Sequence, residues 1–314
     1  MKFIYAIAFF LLATDIQANL YSIPFPAKEK VTDEDYIHIQ NQLRTIDIIP
    51  TLIQLDDEHY SFPFAKFWGR CASGIYLGLI EPEKGHFPIQ RLEKIGNGGE
   101  RCIVSYASYN RKYHELIKSI PEALEKAGFN GYFLYRIGGY PNPTGREIQY
   151  VGVPYAFKIF MILEAHQLGF NHILWIDASM LPLRDPSPLL DWIDRHEIFY
   201  YGWKTSPHVR TWLYPATFQI LKDVTGIDIF DARYVCGAVF GLKMNTEKAK
   251  QFIDLYYRCV DLATPFLSYN PEEFVWTAIL GKVAPELEPF PPEQVYNRRA
   301  DALEEGFYFD YRPH

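Results

Sequence analysis

Segments of strand character alternate with helical segments along most of the chain, from residue 101 onward. The predicted strands cover residues 101–107, 131–136, 172–177, 198–202 and 236–242. The predicted helices cover residues 113–127, 153–168, 185–195 and 246–259. Because parallel strands need long crossover connections, which are usually helical, this alternation predicts an α/β fold. We expect a doubly wound, mostly parallel sheet with helices on both faces.

Residues 19–98 lack this regular alternation. Prolines interrupt every candidate helix of this stretch, at positions 24, 26, 50, 63, 82 and 88. A Gly-Asn-Gly-Gly segment at residues 96–99 follows and is the most flexible point of the sequence. We therefore predict an irregular, proline-rich N-terminal extension over residues 19–98, which packs on a main domain formed by residues 99–314.

Residues 1–18 are predicted to be a secretory signal peptide. Lys2 precedes eleven uncharged, mostly apolar residues, and Ala18 offers a cleavage site. Eleven residues span only about 16 Å as a helix, about half of a bilayer core. An uncleaved anchor at the membrane interface is the alternative. No later segment approaches about 18 consecutive apolar residues, so we expect no membrane span beyond this peptide.

A signal peptide predicts a place in the secretory pathway or outside the cell. In a eukaryote this would be the lumen of the ER or Golgi, and in a bacterium the periplasm or the exterior. Four cysteines, Cys71, Cys102, Cys236 and Cys259, would then meet an oxidising compartment. None of them forms a C-x-x-C pair, which argues against a zinc site. Disulfides and buried free thiols both remain open.

The charge of the chain excludes one class of partner. The net charge is −7, and no cluster of Lys and Arg occurs anywhere along the chain. Nucleic-acid-binding proteins usually concentrate such residues on one face, so we expect no nucleic-acid partner.

Aromatic residues make up 17% of the chain. They fit either an aromatic-rich core or a cleft in which rings stack on sugars.

Three features converge on the carboxyl ends of the predicted strands, where open α/β sheets bind ligands. Asp177 ends an apolar strand and could bind a divalent cation through oxygen; the alternative is a residue that caps the next turn. Lys158 is the only cation in the first turns of an apolar helix, so it must pair with a charge or extend to water. Asp177 or an anionic diphosphate could be its partner. Glu272 and Glu273 begin another helix, where they could act in catalysis or complement the helix dipole.

The sequence resembles the GT-A-type glycosyltransferases that use nucleotide-diphospho-sugar donors. The resemblance covers roughly residues 101–280. It is carried by the strand 103–106, the helix start 153–158, the strand and turn 173–179, the strand 236–242, and the acidic helix start 271–276. The family has an Asp-x-Asp motif at the end of a strand, which holds a divalent cation against the donor diphosphate. Here Asp177 matches the first Asp, and Ser179 stands in the place of the second.

This resemblance implies a set of roles. Asp177, Glu272 and Glu273 would be catalytic, and Lys158, Tyr155, Tyr106 and Ser179 would bind the donor. A cation, Mn²⁺ or Mg²⁺, would be held by Asp177 with Ser179 or Asp185. Because a hydroxyl is a weaker ligand than a carboxylate, three outcomes are open. Glu273 or Asp185 completes the metal site, cationic side chains such as Lys158 replace the metal, or activity has been lost.

The implied function is transfer of a sugar from a nucleotide-diphospho-sugar donor to a glycan, protein or lipid acceptor. A non-catalytic secreted module that binds glycan or protein through an aromatic cleft is the alternative. A third class, a secreted hydrolase, is disfavoured because the chain has no G-x-S-x-G motif. H-E-x-x-H and P-loop motifs are likewise missing from the sequence.

Overall fold

The computed structural model describes residues 89–109, 112–150, 153–203, 213, 215–268, 270–291, 294–297 and 306–312. The predicted signal peptide and most of the predicted N-terminal extension, with Cys71, lie outside these residues. Within them, no helix combines the length and the apolar character needed to cross a membrane.

The strands and helices follow one another much as the sequence predicts. In chain order the strands are β1 (Ile89–Ile95), β2 (Arg101–Ala107), β3 (Gly131–Ile137), β4 (His172–Ile176), β5 (Met180–Pro182), β6 (Ile198–Trp203), β7 (Tyr234–Lys243), β8 (Tyr296–Asn297) and β9 (Phe309–Tyr311). The α-helices are α1 (Tyr113–Leu116), α2 (Ile120–Lys126), α3 (Phe157–Gln167), α4 (Ser187–His196), α5 (Pro215–Thr225), α6 (Glu247–Leu262) and α7 (Pro271–Val283).

The central sheet of the described residues has six strands in the order β1-β3-β2-β4-β7-β6. The predicted α/β class is confirmed, and the sheet is mixed. Parallel pairing is confined to β3, β2 and β4, whereas β1, β7 and β6 each pair antiparallel with their neighbours. The reason lies in the connections. β7 starts at the edge of the sheet where β6 ends, so it runs in the direction opposite to β6. The alternation of strands and helices in the sequence does not reveal the direction of a strand.

The Gly-Asn-Gly-Gly segment is a turn within this sheet. The N–H of Gly98 donates to the carbonyl of Ile95 at 3.0 Å, and Gly98 and Gly99 have φ angles of +75° and +139°, which favour glycine. β1 precedes the turn and pairs with β3 along its whole length. The glycines therefore do not mark the domain boundary predicted after residue 98, because residues 89–95 belong to the main sheet.

Helices cover both faces of the sheet, as predicted. On one face α3 packs on β2 and β4, and α7 packs on β7; on the other, α4 packs on β4, β6 and β7. α3 is buried nearly all round because it lies between the sheet and α6, whose Tyr256 hydroxyl donates to the Ala156 carbonyl at 3.1 Å. α3 begins at Phe157 rather than at the predicted residue 153, since Tyr155 has a φ of +61° that interrupts helical geometry.

A second, three-stranded sheet of order β5-β9-β8 lies beside the carboxyl end of β4.

The three cysteines that the structure describes, Cys102, Cys236 and Cys259, are free and buried, so none of them pairs with another. Burial raises the pKa of each thiol above its ordinary value, which keeps all three protonated at neutral pH.

Candidate functional site

Asp177 is held in a tight turn directly after β4. Its N–H donates to the carbonyl of Ala238 on β7, and its own carbonyl accepts from the N–H of Met180, both at 2.9 Å. The indole Nε1 of Trp175 donates to Asp177 Oδ1 at 3.0 Å. The side chain is 30% exposed, so one carboxylate is fixed in orientation and still reaches the surface at the carboxyl edge of the sheet.

Lys158, in the first turn of α3, lies next to Asp177 and is buried. Its Nζ donates to Glu272 Oε1 at 2.6 Å and to the carbonyl of Gly237 at 3.0 Å, and it lies 2.9 Å from Asp177 Oδ1. An ammonium has three N–H donors, so these partners use all of them. Burial alone would lower the pKa of Lys158, but the carboxylates of Asp177 and Glu272 outweigh it and raise that pKa above its ordinary value. The ammonium therefore stays charged and ties α3, β4, β7 and α7 together.

Gly237, in the middle of β7, lets this cluster form. A Cβ at this position would lie 2.5 Å from Glu272 Oε1, which is closer than such atoms can approach. The absence of a side chain lets the start of α7 pack on the strand. The Gly237 N–H also donates to Glu273 Oε1 at 2.8 Å, so one residue binds Lys158 through its carbonyl and Glu273 through its amide.

Glu273 is a buried carboxyl group within a hydrogen-bonded network. Its Oε2 accepts from the hydroxyl of Tyr234 and from the side-chain amide of Asn270. Burial raises the pKa of Glu273 to about 7, and the nearby charge of Glu272 adds to the effect, while the bonds from Gly237 and Tyr234 oppose it. Burial also raises the pKa of Glu272, against the opposing effect of Lys158. Glu273 can thus both hold and release a proton near neutral pH.

The raised pKa of Glu273 predicts a stability that falls with rising pH. In the unfolded chain the group loses its proton near its ordinary value of 4.5, and in the folded chain near 7, so between these values the folded state binds more protons. Relative to a Glu273→Gln variant, which stays neutral, the wild type should lose about 3 kcal/mol of unfolding free energy between pH 4.5 and pH 7. Urea denaturation of both proteins at several pH values measures this. A difference in unfolding free energy between the two proteins that does not change with pH would contradict this prediction.

Two further predicted donor-binding residues, Tyr155 and Tyr106, are placed differently. Tyr155 adjoins the cluster, with its ring centroid 5.2 Å from Lys158 Nζ. Tyr106 is buried, its ring centroid lies 4.4 Å from that of Phe157, and its hydroxyl donates to the carbonyl of Gly139 at 2.8 Å. Its hydroxyl is therefore engaged within the fold.

Of the two residues expected to help Asp177 hold a metal, Asp185 is engaged outside the cluster. Ser179 is buried at 2% exposure. Asp185 Oδ1 accepts from the N–H of Ser187 at 2.9 Å and from its hydroxyl at 2.7 Å, so it is engaged in the turn that leads into α4.

The residues present do not fit a divalent cation. The Asp177 oxygen that faces the cluster already accepts from Lys158 and Trp175. Glu272 is paired with the same ammonium, and Glu273 is bonded to Tyr234, Asn270 and Gly237. Across the ranges that the structure describes, no group of three or more His, Cys, Asp or Glu side chains could hold a metal ion. The positive charge among these carboxylates is the ammonium of Lys158.

The C-terminal segment supports the turn that carries Asp177 through hydrogen bonds. The N–H of Arg312 donates to the carbonyl of Ser179 at 2.9 Å, and its Nη2 donates to the carbonyl of Ala178 at 3.4 Å. Its Nη1 donates to Ser119 Oγ at 2.7 Å. Arg312 thus links the turn to the segment between α1 and α2.

Sequence reasoning missed Tyr234, Asn270, Gly237 and Arg312. An isolated glycine within an apolar strand indicates a close approach of another group, so Gly237 carried a usable signal. Tyr234 and Asn270 carried none, because an aromatic residue in a strand and an Asn before a helix are common structural features. Arg312 lies 134 residues from Ala178 in the chain, and no local pattern links the two.

Comparisons with known proteins give distant similarities. No protein-family model matches the chain, and no curated protein sequence matches it. Among solved structures, the apo form of mouse xyloside xylosyltransferase 1 is similar with 10% identity and a TM-score of 0.36, covering 62% of this chain and 86% of that one. The galactosyltransferase LgtC, in complex with donor and acceptor sugar analogs, has 12% identity and a TM-score of 0.37, covering 68% and 87%. An active-site mutant of LgtC has 12% identity and a TM-score of 0.38, with the same coverage. All three are glycosyltransferases, the class that the sequence resembles.

Proposed function

We propose that this chain is a glycosyltransferase that moves a sugar from a nucleotide-diphospho-sugar donor to a hydroxyl group of a glycan, protein or lipid, within the secretory pathway or outside the cell. One observation carries the proposal. Asp177, Lys158, Glu272 and Glu273, which come from three separate parts of the sequence, form one cluster at the carboxyl edge of the sheet. This edge is where open α/β sheets bind ligands.

Asp177 is the carboxylate of this cluster that suits proton transfer. An acceptor hydroxyl would donate its proton to Asp177 while its oxygen forms a bond to the anomeric carbon of the donor sugar. The bond from that carbon to the diphosphate oxygen breaks, and the nucleoside diphosphate leaves with the electron pair. Lys158 and Trp175 hold Asp177 in place. No step of this scheme passes through a metal ion.

Glu272 and Glu273 have positioning roles in the site. Glu272 holds Lys158 in place through its 2.6 Å contact. Glu273 fixes the start of β7 through Gly237 and Tyr234. Because both are buried, we assign them to positioning Lys158 and β7, and Asp177 to the reacting hydroxyl.

The non-catalytic module has less support than the enzyme. It needs an aromatic cleft, and most of the large aromatic side chains that the structure describes are buried in the two cores, on either side of the sheet. Trp175 and Trp276, the indoles nearest Lys158, are 1% and 0% exposed. Burial of this kind serves packing and leaves few rings for a ligand.

Thermal melting against nucleoside diphosphates and nucleotide sugars tests the proposal. A ligand at about 100 times its Kd adds about 2.7 kcal/mol of stability, which for a chain of this size is a shift on the order of 5–10 °C. We expect one nucleotide to shift the melting temperature, and its sugar conjugate to be consumed when acceptor glycans are added. Parallel runs with Mn²⁺ and with EDTA should give the same shift. No shift and no donor consumption with any nucleotide sugar would overturn the proposal.

A further inference from the structure

β1 is an edge strand of the central sheet. It stands first in the strand order β1-β3-β2-β4-β7-β6, and within the ranges that the structure describes it pairs only with β3. The outer side of an edge strand presents backbone N–H and C=O groups that can pair with another chain. Leu92, in the middle of β1, is 43% exposed. The outer side of β1 is therefore a candidate interaction surface.

The sequence of β1 reads almost the same in both directions from Leu92. Apolar residues stand at the centre and at both ends, residues of opposite charge flank the centre, and residues whose side chains donate hydrogen bonds fill the remaining places: Ile89, Gln90, Arg91, Leu92, Glu93, Lys94 and Ile95. When such a strand pairs antiparallel with a second copy and Leu92 lies on the twofold axis, Arg91 of each copy lies opposite Glu93 of the other.

Antiparallel pairing about Leu92 agrees with the geometry of a sheet. Alternate residues of a strand direct their backbone groups to the same neighbour, and Arg91 and Glu93, two residues apart, meet this condition. They also share one face of the sheet, where the hydroxyl of Tyr135 donates to Glu93 Oε1 at 3.0 Å. A twofold axis perpendicular to the sheet makes this face common to both copies, so the two charged side chains lie side by side.

The charges of β1 select one register of this pairing. With the axis at Leu92, opposite charges meet twice, once on each side of the axis. A shift of two residues moves the axis to Arg91 or to Glu93, so that one of these residues faces its own copy. Opposite charges directly across a sheet stabilise the pair, and like charges destabilise it. Charged residues on an edge strand usually oppose association, but here they favour one arrangement over its neighbours.

We propose that this protein forms a twofold-symmetric dimer through β1, in which the central sheets of two copies become continuous. Arg91 and Glu93 form cross-strand ion pairs, and the two Leu92 side chains meet on the axis. Both copies use the same surface, as in most dimers. The pairing of one strand buries less area than a standard interface, so the dimer should dissociate on dilution. β3 and β2 separate β1 from β4, so the dimer does not depend on the proposed transferase function.

Charge reversal followed by mixing tests the dimer. We expect sedimentation velocity of the full chain to show reversible dimerisation between about 1 and about 500 µM. Arg91→Glu makes both flanking positions acidic, and Glu93→Arg makes both basic, so each variant alone should raise the Kd about tenfold or more. An equimolar mixture of the two variants again places opposite charges at both positions, and should form a heterodimer with about the wild-type Kd.

Arg195→Glu is the matched control for these variants. Arg195 is an exposed residue of α4, which packs on β4, β6 and β7, in the half of the sheet far from β1. Reversing its charge should leave the Kd of the dimer unchanged. A wild type that stays monomeric over the whole concentration range overturns the proposal. So does a dimer whose Kd neither β1 variant changes, or a mixture that dimerises no better than its two components.

Leu92→Cys locates the axis while keeping both charges, so it decides the question even where a charge reversal impairs folding. Residues directly opposite each other in paired antiparallel strands have Cα atoms close enough for a disulfide. Mild oxidation should therefore cross-link this variant into a covalent dimer, measured by non-reducing electrophoresis. Leu168→Cys, which replaces another exposed leucine, should remain monomeric. Equal cross-linking of the two variants, or none at Leu92→Cys, overturns the proposal.

Discussion

Replacing Lys158 by methionine should lower the free energy of unfolding by about 3–5 kcal/mol, because it leaves buried acid groups without their cation. Glu272 would lose its 2.6 Å ion pair and Asp177 its 2.9 Å ion pair, and the carbonyl of Gly237 would lose its donor. Methionine fills a similar volume, so packing changes little. Thermal or urea denaturation measures the effect, which corresponds to a fall in melting temperature on the order of 10 °C.

A double variant and a surface control make this result specific. Adding Glu272→Gln to Lys158→Met removes the buried acid together with its partner, and should restore part of the lost stability. Lys248→Met removes a lysine whose ion pairs with Glu197 and Glu286 lie near the surface. It should cost less than about 1 kcal/mol. A Lys158→Met protein as stable as Lys248→Met would show that the buried cluster is not held by its ammonium.

Replacing Asp177 by asparagine should reduce donor consumption by about 10²–10⁴-fold, the range for loss of a general base. The amide has nearly the same shape and its oxygen can still accept from Trp175, so the turn should persist. The initial rate of nucleoside diphosphate release measures the effect. A melting curve of the same protein checks that the loss of rate is not loss of fold.

Asp194→Asn is the matched control for this variant. Asp194 is an exposed carboxylate paired with Lys243 and His172, and His172 begins β4, so this pair lies at the amino edge of the sheet, away from the cluster. Its turnover should stay within about twofold of the wild type. An Asp177→Asn protein that keeps more than about a tenth of the wild-type rate would exclude Asp177 as the general base.

The parts of the fold predicted from sequence are those encoded locally. β2, β3 and β4 are continuous apolar segments, and glycines follow helices α2 and α3, so their positions are apparent without the structure. The antiparallel direction of β7 and the pairing of β5 with β9 depend on residues far apart in the chain. No periodicity or turn signal encodes such pairing.

The candidate site was predictable as separate groups but not as a network. Each group has an unusual local setting in the sequence. Asp177 is a carboxylate after an apolar strand, Lys158 is a lone cation in an apolar helix, and the acidic pair at 272–273 begins another helix. Their mutual pairing depends on α7 packing against Gly237, and this follows only from the assembled fold. Asp185 also lies near the end of β4 in sequence, but its carboxylate binds Ser187 in the turn before α4.

The bracing of the Asp177 turn by Arg312 also governs when the site can form during synthesis. Translation proceeds from the N-terminus, so strands β1 to β4 and the turn itself are made well before β9. The residue that binds the turn carbonyls follows Ala178 by 134 positions, and closing so long a loop is entropically costly. The sheet can begin to assemble while the chain is still on the ribosome, but the turn stays unbraced until residues 309–312 have left the exit tunnel. A nascent or truncated chain that ends before them would carry the Asp177 turn without the contacts of Arg312.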